Sequence, residues 1–289
     1  MTKLTRDTEI NLAGVMGYPI THSRSPLMHN TLMQENQVRG VYIPIEIKPD
    51  TLGPALESLP RLGFKGVNLT MPLKQEAIAT VDELDPVGKL MGAVSCVVVK
   101  QDNSLFGVNN DWVGFRDNLN ANFPDWQSTT TSALILGAGG GGLAIVYALI
   151  QEGVEEIVIT NRSQERAEKI ADIFKDQNIS VRPWAERHSL VAETDLVVNT
   201  TNQGMAGQAP LDLSLELAQP EAIVADIIYV PLDTPLIRDA KSKGLRTVGG
   251  LGMLLPQSRP AWRLWFGIDP EITANLCSIM EKAVDGARS

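Results

Sequence analysis

A run of glycines at 137–142 constrains this chain more than any other stretch. Ala133-Leu134-Ile135-Leu136 is a short apolar run. Gly137-Ala138-Gly139-Gly140-Gly141-Gly142 follows, and residues 143–152 are amphipathic. The order reads as strand, tight turn, helix. Without a Cβ, glycine accepts positive φ and lets the backbone approach a ligand closely. The helix that follows aims unpaired N–H groups and a positive dipole end into the turn, a setting suited to a pyrophosphate. Gly137, Gly139 and Gly142 satisfy the G-x-G-x-x-G spacing of dinucleotide-binding turns.

The next strand-like run, 156–160, ends in Asn161-Arg162-Ser163. A fold that binds NAD usually places an acid there for the ribose 2′-hydroxyl. Here the position carries Arg162, with Arg166 one helical turn further on the same face. Two guanidiniums suit a 2′-phosphate, which arginine binds in bidentate fashion. The expected cofactor is therefore NADP, with NAD possible.

The length of 289 residues suggests two domains. The net charge of −9 disfavours nucleic acid or an anionic membrane as partner. No apolar run is long enough to span a bilayer, and residues 1–7 lack the apolar core of a signal peptide. Cys96 and Cys277 form no metal-type spacing, so no metal is expected and a reducing cytoplasm is the simple reading.

Taken in order, residues 10–16 read as a strand that breaks at Gly17-Tyr18-Pro19. Ser25 before Pro26 reads as the cap of a helix, which leaves the Ser23 hydroxyl without a structural duty. Residues 41–47 alternate as a strand, and Pro44 marks it as an edge. A further strand ends at Asn68-Leu69-Thr70-Met71-Pro72-Leu73-Lys74. In parallel α/β sheets, ligands bind beyond the carboxyl ends of strands. Lys74 is expected there, at the start of the next helix, where the dipole opposes a cation. Residues 93–99 and 104–108 form a strand pair around Asp102-Asn103. Asp111 either caps the helix that follows or pairs with Lys74. Strands are expected at 157–160, 196–200, 223–227 and 246–248, and helices at 164–176, 211–218 and 234–243. That alternation implies a doubly wound parallel sheet. Two helices, 253–266 and 270–287, end the chain, with Gln257 on the first able to reach a cleft.

Together these segments resemble the shikimate/quinate dehydrogenase family. Ser23-Arg24-Ser25-Pro26 is similar to its S-x-S-P motif, and residues 68–74 to N-V-T-x-P-x-K. Asn109-Asn110-Asp111 resembles the start of N-T-D-x-x-G, and Asn161-Arg162-Ser163 the N-R-[TS] clamp. Residues 226–231 are similar to D-x-x-Y-x-P, and Gly252 to Gln257 to G-M-L-x-x-Q. The resemblance implies a substrate domain over 1–120, a Rossmann domain for NADP over 121–250, and helices over 251–289 that pack back on the first domain. It implies reversible oxidation of a ring hydroxyl of shikimate or a close analogue, in the shikimate pathway of aromatic amino acid biosynthesis. The implied catalytic pair is Lys74 and Asp111. Ser23, Ser25, Asn68, Thr70, Ser95, Tyr229 and Gln257 would face the substrate, a cyclic hydroxy acid. The cofactor set would be Gly137, Ala138, Gly139, Gly140, Gly141, Gly142, Asn161, Arg162, Ser163, Arg166, Thr200, Gly250 and Met253. The protein is expected to be a cytoplasmic monomer or homodimer.

Two departures stand out. The family's G-A-[VI]-N-T is here Gly92-Ala93-Val94-Ser95-Cys96, and the threonine of N-T-D is Asn110. A pocket that expects a polar partner discriminates strongly when that partner changes. Quinate or an amino analogue is therefore an alternative substrate. A nucleotide-binding sensor with little turnover is the alternative of another class.

Overall fold

The structure is a computed structural model that describes residues 10–286. Residues 1–7, read above for a signal peptide, and Ala287, the expected last helical residue, lie outside them. The chain forms two compact units. One comprises residues 10–109 with Arg259–Leu276; the other comprises Asn110–Ser258 with residues 277–286.

The first unit runs β1 (Asn11–Gly17), α1 (Ser25–Glu35), β2 (Gly40–Glu46), α2 (Leu52–Ser58), β3 (Phe64–Leu69), β4 (Glu83–Leu84), α3 (Pro86–Met91), β5 (Cys96–Val99) and β6 (Leu105–Val108). Its six-stranded sheet has the order β2-β1-β3-β5-β6-β4. β1 pairs in parallel with β2 and β3, while β5 is antiparallel to β3 and β6. β2 is the edge strand that Pro44 announced. The Asn30 side chain covers part of that edge, donating to the Tyr42 carbonyl (2.8 Å) and accepting from the Tyr42 N–H (2.9 Å).

The second unit runs α4 (Asp111–Asn122), α5 (Trp126–Thr129), β7 (Ser132–Leu136), α6 (Gly140–Gln151), β8 (Glu156–Thr160), α7 (Gln164–Ile173), β9 (Ile179–Arg182), α8 (Arg187–Leu190), β10 (Leu196–Asn199), β11 (Ile223–Asp226), α9 (Pro235–Ser242), β12 (Arg246–Val248) and α10 (Leu251–Leu254). Its sheet is parallel throughout, in the order β12-β11-β10-β7-β8-β9. Read from β9, this is the 3-2-1-4-5-6 order of a Rossmann fold, with its switch point between β7 and β10. Ala133 to Leu136 are fully buried, as a central strand covered on both faces must be. The helix α11 (Ser258–Phe266) belongs almost wholly to the first unit. There Trp262 Nε1 donates to His29 Nδ1 (2.8 Å) and Trp265 Nε1 to the Val97 carbonyl (3.1 Å). The last helix, α12 (Ala274–Asp285), crosses the division.

Several local expectations change. The second compact unit begins at Asn110 and so includes α4. One reason is that Gly114 on α4 lies so close to α10 that a Cβ there would sit 2.4 Å from the Met253 carbonyl oxygen. Residues 211–218 form no helix. Leu211 and Leu215 are buried and Leu213 is half-buried in one cluster, and the segment follows that core through tight turns, Leu213 N donating to the Leu211 carbonyl (3.1 Å) and Ala218 N to the Leu215 carbonyl (3.1 Å). Lys74 stands in a turn, followed only by a four-residue 3₁₀ turn over Glu76–Ala79. No α-helix begins at Lys74, so no helix dipole opposes its charge.

Candidate functional site

In the first unit, the predicted ligand residues collect at the carboxyl ends of β1 and β3. These two parallel neighbours launch Ser23-Ser25 and Thr70–Lys74 from the same sheet edge. The Thr70 N–H donates to the Met16 carbonyl (3.0 Å), and the Lys74 carbonyl accepts from Val94 N (2.8 Å). Lys74 and the Ser95 segment are thereby fixed to neighbouring backbone.

Ser25 does not cap α1, because Arg24 occupies the cap position and Ser25 is the first helical residue. Ser23 instead accepts the Ser25 N–H at 3.3 Å, so the serine expected to be idle carries the structural duty. A hydroxyl that accepts still has its own O–H to donate. The bond from the Ser25 N–H is therefore compatible with a donated contact to a ligand.

Asn68 is held at both ends of its amide. Tyr42 donates its phenol O–H to Oδ1 (2.8 Å), and Nδ2 donates to the Ser95 carbonyl (3.3 Å). That fixes which end is the donor and leaves a second N–H on Nδ2 for a ligand oxygen. Tyr42 is buried and stacked on His29, with ring centroids 4.0 Å apart. Burial pushes the His29 pKa down to about 3, so the ring is neutral and its Nδ1 can accept from Trp262. Sequence reading missed Tyr42, because a tyrosine on the inward face of an alternating strand reads as core.

In the second unit, the glycine turn is shaped by backbone proximity. Gly137 has φ +113°, and a Cβ there would lie 2.6 Å from Thr200 Oγ1. A Cβ on Gly142 would lie 2.6 Å from the Gly137 carbonyl oxygen. Gly139 and Gly140 differ, since a Cβ on either would meet nothing within 4 Å. Their space is a cradle at the N-terminus of α6. Thr200 Oγ1 donates to the carbonyls of Leu136 (3.0 Å) and Gly137 (3.2 Å), tying the loop after β10 to the turn after β7.

A pocket of about 170 Å³ opens here, and its lining includes Gly137, Gly139, Asn161, Arg162, Trp184 and Thr200. The Asn161 amide donates to the Ser163 carbonyl (2.8 Å) and shapes the turn that carries Arg162. Arg166 lies on α7 and is not part of the lining. The lining also holds Thr201, Asn202 and Trp184, which no motif flagged. Their signal was positional, since they follow the ends of β10 and β9.

Asp111 opens α4, and Gln257 donates its amide N–H to that carboxylate at 2.5 Å. Gln257 stands in the turn between α10 and α11, not on a helix. Close packing brings the segments together, with α4 and α10 meeting at Gly114 and Met253 and Asn118 donating to the Gly249 carbonyl (3.1 Å). Gly250 is the N-cap of α10, where its N–H donates to the Ile228 carbonyl (3.1 Å). Tyr229 lies in the loop after β11. That loop is anchored by Asp226, whose Oδ1 accepts from Ile228 N (3.0 Å) and Asn199 Nδ2 (3.1 Å) while Oδ2 accepts from Thr234 (2.7 Å). Burial raises the Asp226 pKa to about 6. Among the described residues, no group of His, Cys, Asp and Glu is placed to hold a metal, and no helix is long and apolar enough to cross a membrane.

A parallel sheet in Rossmann order, with a glycine cradle at its switch point and an arginine at the end of β8, is the architecture of a dinucleotide-binding domain. Residues 15–97 match the shikimate dehydrogenase substrate binding domain, and residues 119–209 match shikimate / quinate 5-dehydrogenase. The chain belongs to the shikimate dehydrogenase family. The shikimate dehydrogenase (NADP(+)) of Paramagnetospirillum magneticum is 43% identical over 265 residues, covering 92% of this chain and 96% of its own. Among solved structures, the shikimate 5-dehydrogenase of Thermus thermophilus in complex with NADP(H) and shikimate has a TM-score of 0.82 at 34% identity, covering 96% of this chain and 100% of its own. Quinate dehydrogenase from Corynebacterium glutamicum in complex with NAD has a TM-score of 0.86 at 27% identity, covering 94% and 99%.

Proposed function

We propose that this chain interconverts shikimate and its 3-dehydro form with NADP(H). The observation that carries the cofactor choice is the pocket beside the glycine turn, which presents Arg162 where an NAD enzyme would present an acid. The substrate reading rests on near-full-length relatives named shikimate dehydrogenase (NADP(+)). The cradle at Gly139 and Gly140 fits a pyrophosphate, because no side chain occupies it and α6 aims its N–H groups there. Arg162 would hold the 2′-phosphate. When bound, the nicotinamide accepts or returns a hydride.

The remaining chemistry belongs to the protein. A ring hydroxyl that loses hydride must also lose its proton, so a positioned general base lowers the barrier. Lys74 takes that proton in the oxidation and returns it in the reduction, and Asp111 acts with it. The Gln257 amide fixes the orientation of the Asp111 carboxylate. Ser23, Ser25, Asn68, Thr70 and Tyr229 supply hydroxyl and amide groups for the carboxylate and hydroxyls of the acid.

A second reading has one observation in its favour. Ser95 and Asn110 replace the residues of the family motifs, and both are buried. The altered wall favours activity on quinate or another cyclic polyol acid alongside shikimate. The test is reduction of NADP⁺ and of NAD⁺ by shikimate and by quinate. Activity with shikimate and NADP⁺ is expected to dominate, and a lack of turnover with every acid would leave the binding-sensor reading. Replacing Arg162 by Ala should weaken NADP⁺ by about 1–3 kcal/mol and spare NAD⁺. Equal weakening of both would remove Arg162 from the phosphate site.

A further inference from the structure

We propose that Trp184 is the wall on which the adenine base of the cofactor stacks. The proposal rests on the NADP reading above and extends it to the part of the pocket that no motif assigns. β8 and β9 are parallel neighbours in which Thr160 pairs with Arg182. Arg162 and Trp184 each lie two residues beyond that pair, so both leave the sheet at one height and line one pocket.

The parts of the pocket divide by chemistry. The glycine turn and the N-terminus of α6 suit the pyrophosphate, and Arg162 suits the 2′-phosphate. What remains beside Arg162, toward the β9 edge, is an indole. A planar base gains from stacking on an aromatic ring without needing a hydrogen-bond partner.

The indole is also held in place. The Arg187 guanidinium lies over it, 5.0 Å from the ring centroid, and Arg187 Nη1 donates to the Trp184 carbonyl (2.9 Å). Arg187 is itself buried, with Nε donating to the Asp212 carbonyl (2.7 Å) and Nη2 paired with the Asp212 carboxylate. Trp184 packs in addition against the core cluster that contains Leu190 and Leu211. A rigid aromatic plane loses little entropy when a base stacks on it.

The test uses adenosine 2′,5′-bisphosphate, which carries the base and the 2′-phosphate but no nicotinamide. Trp184→Leu is expected to weaken this probe about tenfold and to raise KM for NADP⁺ by a similar factor. It should leave kcat at saturating NADP⁺ and KM for the acid unchanged. Trp184→Phe should retain most of the affinity. The probe should quench tryptophan fluorescence in the parent protein, and that quenching should vanish in Trp184→Phe, which also settles the matter if the Leu variant does not fold. Unchanged probe affinity in Trp184→Leu, or quenching that survives in Trp184→Phe, overturns the assignment. Failure of the parent protein to bind either NADP⁺ or the probe overturns the cofactor reading instead.

Discussion

The two units build their ligand-facing edges by different means. In the second unit, the turn after β7 is shaped by backbone against backbone, and a Cβ at Gly142 would collide with the Gly137 carbonyl. In the first unit, the edge after β3 is shaped by side chains. Asn68 is aimed by Tyr42, and Tyr42 is packed by His29 and, at a centroid distance of 6.3 Å, by Trp265. A backbone-built site is intolerant of any added atom but needs few partners. A side-chain-built site accepts atoms more readily, yet it fails when a remote partner is lost.

The largest expected effect lies on the side-chain edge. General acid–base catalysis contributes about 10²–10⁴-fold, so Lys74→Ala should lower kcat by that order. NADP⁺ affinity should barely change, because Lys74 belongs to the first unit and the glycine cradle to the second. Asp111→Asn should also lower kcat, and the double variant should be little worse than Lys74→Ala, since residues that act as a unit are not additive. A rise in KM with kcat intact would make Lys74 a binding residue only.

The second unit has one side-chain knot of its own, and pH probes it. Asp226 joins the ends of β10 and β11 to the cap of α9. Burial raises its pKa from 3.8 to about 6. Between those values the folded protein binds a proton that the unfolded chain has released. The contribution is therefore complete below about pH 4 and is lost as pH rises through about 6, a change of about 3 kcal/mol. Asp226→Asn removes this dependence. Denaturant midpoints of the two proteins from pH 7 down to 4.5 should diverge, with the parent gaining relative to the variant. Parallel profiles would show that Asp226 does not titrate in this window.

The glycine turn gives a paired test. Gly142→Ala forces a Cβ to within 2.6 Å of a carbonyl oxygen and should cost about 1–3 kcal/mol of stability. Gly139→Ala meets nothing within 4 Å, and its backbone angles (φ −97°, ψ −169°) suit any residue. It should leave the melting temperature alone and weaken NADP⁺ by occupying the cradle. Equal melting temperatures for the two variants would break the claim that backbone contact shapes this turn.

The same difference explains what could be read from the sequence. Backbone demands leave glycines at fixed spacing, so the turn, the β/α alternation and Arg162 were visible before any coordinates. Side-chain architecture leaves no such mark. Ser23 and Ser25 exchanged roles, because a Ser-x-Ser-Pro run does not say which hydroxyl faces the helix N–H. Residues 211–218 carry leucines at 211, 213, 215 and 217, and only the structure reveals that the segment follows the core through turns rather than as a helix. Trp184 stands between Pro183 and Ala185 in no recognisable motif, and its place beside Arg162 depends on a strand register that no local signal encodes.

The smallest expected effect tests the remote partner most directly. Tyr42→Phe deletes one hydroxyl and keeps the ring that stacks on His29. The Asn68 Oδ1 then loses its donor from Tyr42, at a cost of about 1 kcal/mol. Asn68 keeps its bond to the Ser95 carbonyl but is then held at one end only, so its remaining N–H is aimed at substrate less firmly. KM for the acid should rise about fivefold, the change that ~1 kcal/mol corresponds to. The kcat at saturation and the NADP⁺ affinity should hold, because neither Lys74 nor the glycine cradle is bonded to Tyr42 or Asn68 through these contacts. Asn68→Ala serves as the reference, since adding Tyr42→Phe to it should raise KM no further. If Tyr42→Phe raises KM by the same factor in the Asn68→Ala background, Tyr42 acts on the substrate by another route and the relay through Asn68 is wrong.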